Sequence, residues 1–578
     1  MRGPTRSDDP QRPTSSDRAS RRNSALVASG ILLSRVTGLA RERALGHFLG
    51  TSFAADAFTA AFRIPNLLQH LLGEGVLSAS FIPVYSRLLS EGRAREASRV
   101  AGAIAGLLGA AAGALALIGV LFAEPLTTLV AAGLQGRPRT FELTVALVRV
   151  LFPGIGFLVL SAWCLGVLNS HGRFFLSYVA PVIFNLVQIA VLVGAGLSVF
   201  ASDAGVAPRA ATQVSLATWL AVGTVVGGAL QFLVQLPTVL RLDRELRPSL
   251  RTDLPGVRAT LRAFGPVVTA RGVVQLSSYV QVFLASFLAA GALATLRYAQ
   301  ILYMLPISLF AMSVAAAELP ELSRVKPGER GATTVRLQQG LARIAAFVVP
   351  TALGYLVVGD LVAGALFQTG EFVRLDTVAV WMVLGGYSLG LLATTSSRLL
   401  QSALYGRGDT RTPARMAAAR VVVSAALGVV LMLQLDRLAV TDTGIRLLGD
   451  LPALSPLPDS VRRASGGGDL VRLGAAGLSV ASGLAAWLEY AVLRRAVGRT
   501  IAPTNLAGGQ LRPILIAASV AALAAVAARP LVSDLHPLVG NTLAVGAMAA
   551  VYLVSASRLG VSEIQSVLVE VRRRISRT

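Results

Sequence analysis

The sequence predicts an all-α protein that crosses a membrane about fourteen times, and three observations support this class. Of its 578 residues, 54% are hydrophobic and only 14% are charged, and its mean hydropathy of +0.65 is far above that of soluble domains. Arginines gather in alternate connecting segments. Hydrophobic runs of membrane length centre near residues 33, 70, 110, 155, 188, 223, 275, 308, 348, 390, 424, 481, 521 and 548.

The positive charges predict the orientation of the chain. With a cytoplasmic N-terminus, the predicted inner segments hold 35 Lys and Arg residues and the predicted outer segments hold 13. This asymmetry follows the positive-inside rule, so both termini are predicted to be cytoplasmic. It also accounts for the net charge of +23 without a nucleic-acid partner. The five remaining arginines lie within predicted spans: Arg35, Arg63, Arg149, Arg271 and Arg398.

The segments between and around the spans divide the chain. Residues 1–23 are polar and lack an apolar core, which predicts a disordered basic tail rather than a signal peptide. Residues 241–262 carry six arginines and predict a cytoplasmic amphipathic linker. The other predicted segments are an N-lobe at 24–240, a C-lobe at 263–434 and 473–495, a flexible Gly- and Pro-containing outer loop at 435–472, two extra spans within 510–558, and a basic cytoplasmic tail at 559–578.

The two halves carry a weak internal repeat at an offset of about 236 residues. Pro-Val-Tyr-Ser-Arg at 83–87 recurs as Pro-Glu-Leu-Ser-Arg at 320–324, and Arg35 corresponds to Arg271. Because each half holds an even number of spans, six, the halves keep the same orientation about an axis along the membrane normal. The repeat predicts two six-helix lobes around a central cavity, followed by two extra C-terminal helices.

The second span carries a stripe of polar side chains on one side of a helix: Asp56, Thr59, Arg63, Asn66, His70 and Glu74. Ionisable residues at bilayer depth are costly and usually face a cavity, a partner or a polar substrate. The alternative is that they only pair with one another, as Asp56 could with Arg63. Pro65 should divide the stripe into two helical pieces that meet at a bend.

Redox, metal and enzymatic functions find little support in the sequence. One cysteine, Cys164, excludes an internal disulfide, and four histidines without ligand spacing give no metal cluster. His171 occupies a short turn without a nucleophile or metal spacing, so it is interpreted as a turn residue. We therefore predict a protein that is not an enzyme and needs no cofactor.

Five motifs closely resemble those of the MurJ (MviN) lipid II flippases, members of the multidrug/oligosaccharidyl-lipid/polysaccharide exporter superfamily. They are S-R-x-x-G-x-x-R at 34–41, D-A-F at 56–58, R-I-P-N-L-L at 63–68, E-G at 74–75 and F-I-P at 81–83. Weaker matches, such as G-V-L-N at 166–169 and D-T-R-T-P at 409–413, extend the resemblance over roughly residues 24–560.

The resemblance implies a carrier in the bacterial cytoplasmic membrane that flips undecaprenyl-pyrophosphate disaccharide-pentapeptide, the peptidoglycan precursor, from the inner to the outer leaflet by alternating access. Its expected partners are this lipid-linked pyrophosphate, membrane lipids and the cell-wall synthesis machinery. Arg35 and Arg41 match cavity arginines of the family, and Asp56 and Asn66 match other functional positions. Arginine suits this task because its planar fork pairs with phosphate oxygens.

The chain departs from the family pattern at three cavity positions. Gln69 and Ile301 stand where arginines are expected, and Met304 stands where a glutamate is expected. Arg63, Arg271 and Arg297 could replace the missing cations, although Arg271 could instead pair with Glu318 or Asp56, and Arg297 could snorkel to the outer surface. The predicted substrate site comprises Arg35, Arg41, Asp56, Arg63, Asn66, Gln69, Arg271 and Arg297.

The sequence leaves the driving force and the exact substrate open. The membrane potential, worth about 2.3 kcal/mol per charge per 100 mV, could bias transport, and a Na⁺ or H⁺ site is the alternative. Asp56, His70 and Glu74 are the candidates for ion coupling or for gating. Another lipid-linked saccharide is a second candidate substrate. A transport-inactive scaffold for envelope synthesis is a further alternative, favoured by the substitutions at 69, 301 and 304. A drug or cation antiporter fits poorly, because the cavity is too cationic.

Overall fold

The computed structural model describes residues 15–202, 209–311, 330–441, 444–452, 455–457, 470–501, 503–506 and 510–575. Nearly all of them are helical. In the first half the helices are α1 (Ser15–Leu49), α2 (Phe53–Leu72), α3 (Glu74–Ser80), α4 (Ile82–Ser90), α5 (Ala94–Leu121), α6 (Ala123–Ala131), α7 (Pro138–Ser170), α8 (Phe174–Ser202) and α9 (Arg209–Leu242), with a 3₁₀ turn at Ala132–Gly136.

The second half continues with further helices and one small sheet. They are α10 (Pro255–Ser286), α11 (Ala292–Pro306) with a π-helical turn at Ile307–Ala311, α12 (Arg330–Phe367), α13 (Arg374–Leu389), α14 (Leu391–Gly406), α15 (Arg411–Leu435), β1 (Leu438–Thr441), β2 (Gly444–Leu447), β3 (Val471–Arg472), α16 (Gly474–Thr500), α17 (Leu511–Val532), α18 (Pro537–Arg558) and α19 (Ser562–Ile575).

The helices account for the predicted number of spans. Within the described residues, eleven are long and apolar enough to cross a membrane, or twelve if α13 and α14, which meet at 44°, form one bent span. Helices α1 and α10, of 35 and 32 residues, are also long enough. With α1 and α10 added, the number of helices of membrane length equals the fourteen predicted spans, and the predicted all-α membrane fold is confirmed.

The second span breaks at a different residue from the predicted one. Helix α2 continues through Pro65, which is buried, and ends at Leu72. The break lies at Gly73, whose N–H donates to the carbonyl of Gln69 at 2.7 Å. A side chain would not fit here, because a Cβ on Gly73 would lie 2.3 Å from that same oxygen. The prediction of a bend at Pro65 was therefore wrong: the helix tolerates one missing donor, and the glycine ends it.

Regular structure extends into the predicted disordered N-terminal tail, the predicted flexible outer loop and the predicted basic C-terminal tail. Residues 15–23 of the predicted disordered tail belong to α1, and residues 562–575 of the predicted C-terminal tail form α19. In the outer loop at 435–472, strands β1, β2 and β3 form an antiparallel sheet in the order β2-β1-β3. Gly444, the first residue of β2, has a φ of +123°, a conformation that favours glycine. The Gly-Gly-Gly run at 466–468 lies outside the described residues.

The predicted linker at 241–262 is not one amphipathic element. Helix α9 ends at Leu242, residues 243–254 have no helix, and α10 begins at Pro255. Pro248 and Pro255 explain this arrangement, because proline disfavours the helical conformation of the residue before it, whereas it fits well in the first turn of the helix that follows.

Candidate functional site

A cavity of about 470 Å³ lies between the two halves of the chain. Helices α1 and α2 form one wall, and α10 and α11 form the other. Its charged and amide-bearing lining residues come from both halves, and apolar side chains fill the space between them. The lining consists of Arg41, Glu42, Thr59, Phe62, Arg63, Asn66, Gln281, Val282, Ala285, Leu293, Leu296, Arg297, Gln300, Ile301 and Met304.

Glu42 joins two of the cavity arginines. Its Oε1 atom lies 2.5 Å from Arg41 Nη2 and 2.8 Å from Arg297 Nη2, and the residue is only 5% exposed. Arg41 also donates to Oδ1 of Asn185 at 3.1 Å, and the guanidinium of Arg297 lies over the ring of Phe58. One carboxylate thus holds two guanidinium groups at the cavity wall, and the group keeps a net positive charge.

Arg63 provides a third guanidinium in the cavity. Its Nη2 donates to Oε1 of Gln300 at 3.2 Å, and its main-chain carbonyl accepts from the hydroxyl of Tyr279 at 2.7 Å. Within the described part of the chain, Arg63 makes no ion pair. The sequence alternative in which Arg63 pairs with Asp56 is therefore not what the structure contains, and this charge faces the cavity without a carboxylate.

Arg35 lies outside this cavity. It is six residues before Arg41 on α1, about 9 Å along the helix axis. Its Nη1 donates to Oγ of Ser308 at 3.0 Å, on the π-helical turn after α11. Arg35 therefore links the two halves beside the cavity rather than lining it.

Asp56 is buried between the two halves, away from the cavity lining. It is 0% exposed, and its Oδ2 and Oδ1 accept the N–H groups of Gly291 at 2.7 Å and Ala294 at 2.9 Å. These donors belong to the N-terminus of α11, where a carboxylate is favoured by the helix dipole. Arg137 lies 3.5 Å from Asp56 and also donates to the carbonyl of Ser286 at 2.8 Å.

Further contacts join the halves around Asp56. We call the whole group the outer latch, because the charge bias of the sequence predicts that this end of α11 lies on the outer side. The hydroxyl of Tyr298 donates to the carbonyl of Gly50 at 3.1 Å. The N–H of Glu371 donates to the carbonyl of His47 at 2.8 Å, and Thr51 donates to Asp376. The outer latch consists of Asp56, Arg137, His47, Gly50 and Thr51 on one half, and Ser286, Gly291, Ala294, Tyr298, Glu371 and Asp376 on the other.

A second cavity, of about 990 Å³, lies beyond the outer latch. Arg137, Arg209 and Arg472 contribute positive charges to its lining, and Glu371, Asp376 and Asp436 contribute negative ones. No described residue lines both cavities, because the first turn of α11 and the outer latch lie between them. The central cavity is therefore closed toward this side of the molecule.

The other predicted site residues are placed as follows. Asn66 lines the central cavity, and so do Ile301 and Met304, the two residues that replace the expected Arg and Glu. Gln69 is half-buried beside the break at Gly73 and does not line the cavity, and His70 is exposed. The side chains of Glu74 and Arg271, and Glu318 as a whole, lie outside the described residues.

Two buried acidic residues, one in the cavity wall and one outside it, are absent from the predictions made on sequence. Glu42 was overlooked although it directly follows Arg41. Glu489, in the twelfth span, is 5% exposed and lies 2.8 Å from Arg420, with Gln401 donating to it at 2.9 Å. The charge pattern places Arg420 at the end of a predicted inner connecting segment, residues 405–420, whereas the structure pairs it with the buried Glu489. A lone Glu near the middle of a hydrophobic run was the signal that could have revealed this pair.

The described fold and cavity define a multi-pass membrane transporter with two lobes and a polar cavity between them. A solved lipid II flippase MurJ in an inward closed conformation aligns with 92% of this chain and 98% of that chain, at a TM-score of 0.68 and 20% identity. An inward-facing multidrug resistance MATE family transporter of the MOP superfamily aligns with 82% of this chain and 99% of its own, at 0.55 and 15% identity.

Sequence comparisons identify the family within this class. The family described as "Lipid II flippase MurJ" matches residues 45–441. A lipid II flippase MurJ of Burkholderia cenocepacia is 32% identical over 69% of this chain and 76% of its own. A probable lipid II flippase MurJ of Bdellovibrio bacteriovorus is 33% identical over 71% of this chain and 76% of its own. The chain belongs to the MurJ family, and its predicted family membership is confirmed.

Proposed function

We propose that this protein flips the lipid-linked peptidoglycan precursor lipid II from the inner to the outer leaflet of the bacterial cytoplasmic membrane. The central cavity carries the proposal: three guanidinium groups, from Arg41, Arg63 and Arg297, face it at bilayer depth with one carboxylate, Glu42. Charges this deep in a membrane are costly and are retained where they bind a polar or charged substrate.

The cavity suits a pyrophosphate headgroup. Its net positive charge complements a substrate with negative phosphates, and guanidinium forks donate paired hydrogen bonds to phosphate oxygens. Asn66, Gln281 and Gln300 add amide groups that can bind sugar hydroxyls or peptide. The prenyl tail needs no polar site, because it can stay in the bilayer while the headgroup crosses.

Alternating access follows from the two cavities and the outer latch. With the latch closed, the central cavity can load only from the opposite side, which the positive-inside bias assigns to the cytoplasm. Opening the latch and closing the inner side would release the headgroup outward, by rocking of one lobe against the other. We propose that both termini are cytoplasmic and that lipid II reaches the cell-wall synthesis machinery in the outer leaflet.

The membrane potential is the driving force that we propose, without a cofactor. The carboxylate of Asp56 accepts two main-chain N–H groups and lies 3.5 Å from the guanidinium of Arg137, and this positive charge disfavours a Na⁺ ion at the same carboxylate. The potential acts on every charge that crosses, at about 2.3 kcal/mol per charge per 100 mV. In proteoliposomes, transport that responds to an imposed potential at equal Na⁺ and pH supports this choice. Transport that requires a Na⁺ or pH gradient would favour ion coupling.

Complementation tests the flippase function. The chain is expressed in cells depleted of their own lipid II flippase, beside variants Arg41→Ala and Arg149→Ala. Arg41 lines the cavity, whereas Arg149 is exposed on α7 and serves as the matched control. We expect rescue by the parent chain and by Arg149→Ala, and no rescue by Arg41→Ala. A well-inserted parent chain that fails to rescue would contradict lipid II flipping.

A second candidate function is the flipping of another lipid-linked saccharide. The observation that favours it is the apolar cavity wall at Ile301 and Met304, where the resemblance leads one to expect charged residues. Competition between lipid II and other undecaprenyl-pyrophosphate saccharides for binding to the purified protein separates the two functions. Preferential displacement of lipid II by another saccharide would support the second candidate.

A further inference from the structure

Residues 243–254, which we call the strap, connect α9 to α10 and therefore join the two lobes. The strap lies on α5, close to two glycines one helical turn apart, Gly102 and Gly106. A Cβ on Gly102 would lie 2.2 Å from the carbonyl oxygen of Arg247, and one on Gly106 would lie 2.2 Å from that of Ser249. The N–H of Ser249 also donates to the carbonyl of Gly102 at 3.1 Å. The strap therefore occupies a groove that exists only because α5 has no side chains there.

Both ends of the strap are also fixed to α5. At its start, the carboxylate of Asp243 accepts the hydroxyl of Ser98 at 2.7 Å, and both residues are buried. Just after its end, a Cβ on Gly256 would lie 2.7 Å from the side chain of Val100, and Val257 is 0% exposed. A buried carboxylate with a hydrogen-bonding partner is costly to leave without that partner.

These contacts distinguish the strap from an ordinary interdomain linker. A flexible linker has few buried contacts and can follow either of the domains that it joins. The strap makes a main-chain hydrogen bond, a buried side-chain hydrogen bond and close contacts at two glycines. All of these contacts are with α5 of the N-lobe. Undocking the strap would break every one of these contacts together.

We propose that the strap stays bound to α5 throughout the transport cycle, so that the first turn of α10 moves with the N-lobe. Relative motion of the lobes is then taken up beyond Val257 and not in the connection between them. This proposal rests on the proposed function, because it describes how the lobes of a rocking carrier are connected.

Reversible cross-linking tests the proposal on the full-length protein. Ser98→Cys and Asp243→Cys are combined to lock the strap to α5, and Thr51→Cys and Asp376→Cys are combined to lock the outer latch. Each pair replaces a side-chain hydrogen bond, and Cys164 is fully buried and needs no replacement. Lipid II transport in proteoliposomes is measured after oxidation and again after reduction, and each cross-link is verified by mass spectrometry.

We expect the strap cross-link to keep transport within about twofold of the reduced protein. A larger loss that is restored by reduction would overturn the proposal, and so would failure of the pair to cross-link in the folded protein. The latch cross-link is expected to stop transport reversibly. If it does not, rocking of the lobes is wrong whatever the strap pair does, so the two failures can be told apart.

Glycine substitutions give a second, independent test. Gly106→Ala should displace the strap and lower both the melting temperature and the transport rate, whereas Gly113→Ala should leave both unchanged. Gly113 lies on the same helix and is exposed, and a Cβ added to it would meet no atom within 4 Å. A Gly106→Ala variant with the stability and transport of the parent chain would contradict the seating of the strap in this groove.

Discussion

Asp56 and Gly291 are 235 positions apart in the sequence, yet the carboxylate of Asp56 accepts the main-chain N–H of Gly291 at 2.7 Å. The same carboxylate accepts the N–H of Ala294 at 2.9 Å, so one side chain of the N-lobe caps the first turn of a C-lobe helix. This contact closes the central cavity on one side. It suggests that Asp56 acts in gating, one of the two roles that the sequence predicted for it.

Asp56→Asn should weaken the outer latch. The amide keeps one acceptor oxygen but loses the negative charge that the helix N-terminus and Arg137 favour. The interaction free energy that holds the latch closed should fall by about 1–2 kcal/mol. We expect a reporter cysteine at Leu296, which lines the central cavity behind the latch, to react about 5- to 30-fold faster with a membrane-impermeant thiol reagent added to the outer side. Asp534→Asn, at an exposed position, is the control. Equal labelling rates in both variants would show that Asp56 does not hold the latch.

Glu42→Gln should destabilise the cavity wall. It leaves the guanidinium groups of Arg41 and Arg297 close together without a carboxylate, and breaking a buried ion pair in this way costs on the order of 3 kcal/mol. We expect a lower melting temperature in nanodiscs and reduced lipid II transport. Glu142→Gln, at an exposed position on α7, should melt like the parent chain. A Glu42→Gln variant with unchanged melting would mean that Glu42 does not hold the two arginines.

Arg63→Ala should impair transport with little loss of stability. Within the described residues Arg63 has no ion-pair partner, so its removal leaves no carboxylate uncompensated. It does remove charge-assisted hydrogen bonds to a phosphate, at about 1.5–3 kcal/mol each, which corresponds to at least a tenfold loss of transport or headgroup binding. Arg398→Ala, at an exposed position on α14, should have no effect. Normal binding by the Arg63→Ala variant would remove Arg63 from the substrate site.

His171 predicts a pH dependence of stability. Its Nε2 lies 3.0 Å from the hydroxyl of Tyr85. Burial lowers the pKa of His171 below its usual value of 6.5, although the nearby carboxylate of Asp243 opposes this shift. The folded protein therefore binds fewer protons at this site than the unfolded chain. The stability is fully present above about pH 6.5 and falls as the pH drops from there toward the lowered pKa.

Melting temperatures between pH 5 and pH 7.5 measure this effect. His171→Gln should flatten the dependence, because glutamine keeps a hydrogen-bonding side chain but does not titrate. His536→Gln is the matched control, since His536 is exposed at the start of α18, and it should leave the slope unchanged. An identical slope in the His171→Gln variant and the parent chain would assign the pH dependence to another group.

Much of the fold could be predicted because each span carries its own signal. A hydrophobic run of about 20 residues is a local property, and so the order and number of the helices followed from the sequence. The polar stripe on α2 likewise revealed a functional face, and three of its members, Thr59, Arg63 and Asn66, line the central cavity.

The partners of those residues could not be predicted in the same way. Helical periodicity shows which side chains share a face, but it does not show what packs against that face. The contact between Glu42 and Arg297 spans 255 positions, and the position of Asp56 depends on main-chain donors that have no sequence pattern. The strap was missed for a similar reason, because Gly102 and Gly106 look like ordinary small residues in an apolar helix.

The central contact of the outer latch uses main-chain donors of the first turn of α11, and this affects how mutational data on the protein should be interpreted. Substitution of Ala294 leaves its N–H group in place, so a mutational-sensitivity map would assign this position little importance for gating. Gly291 would differ, because its φ of +88° disfavours other residues. A gate made of backbone atoms can therefore be seen in the structure, although a scan of side-chain substitutions would hardly detect it.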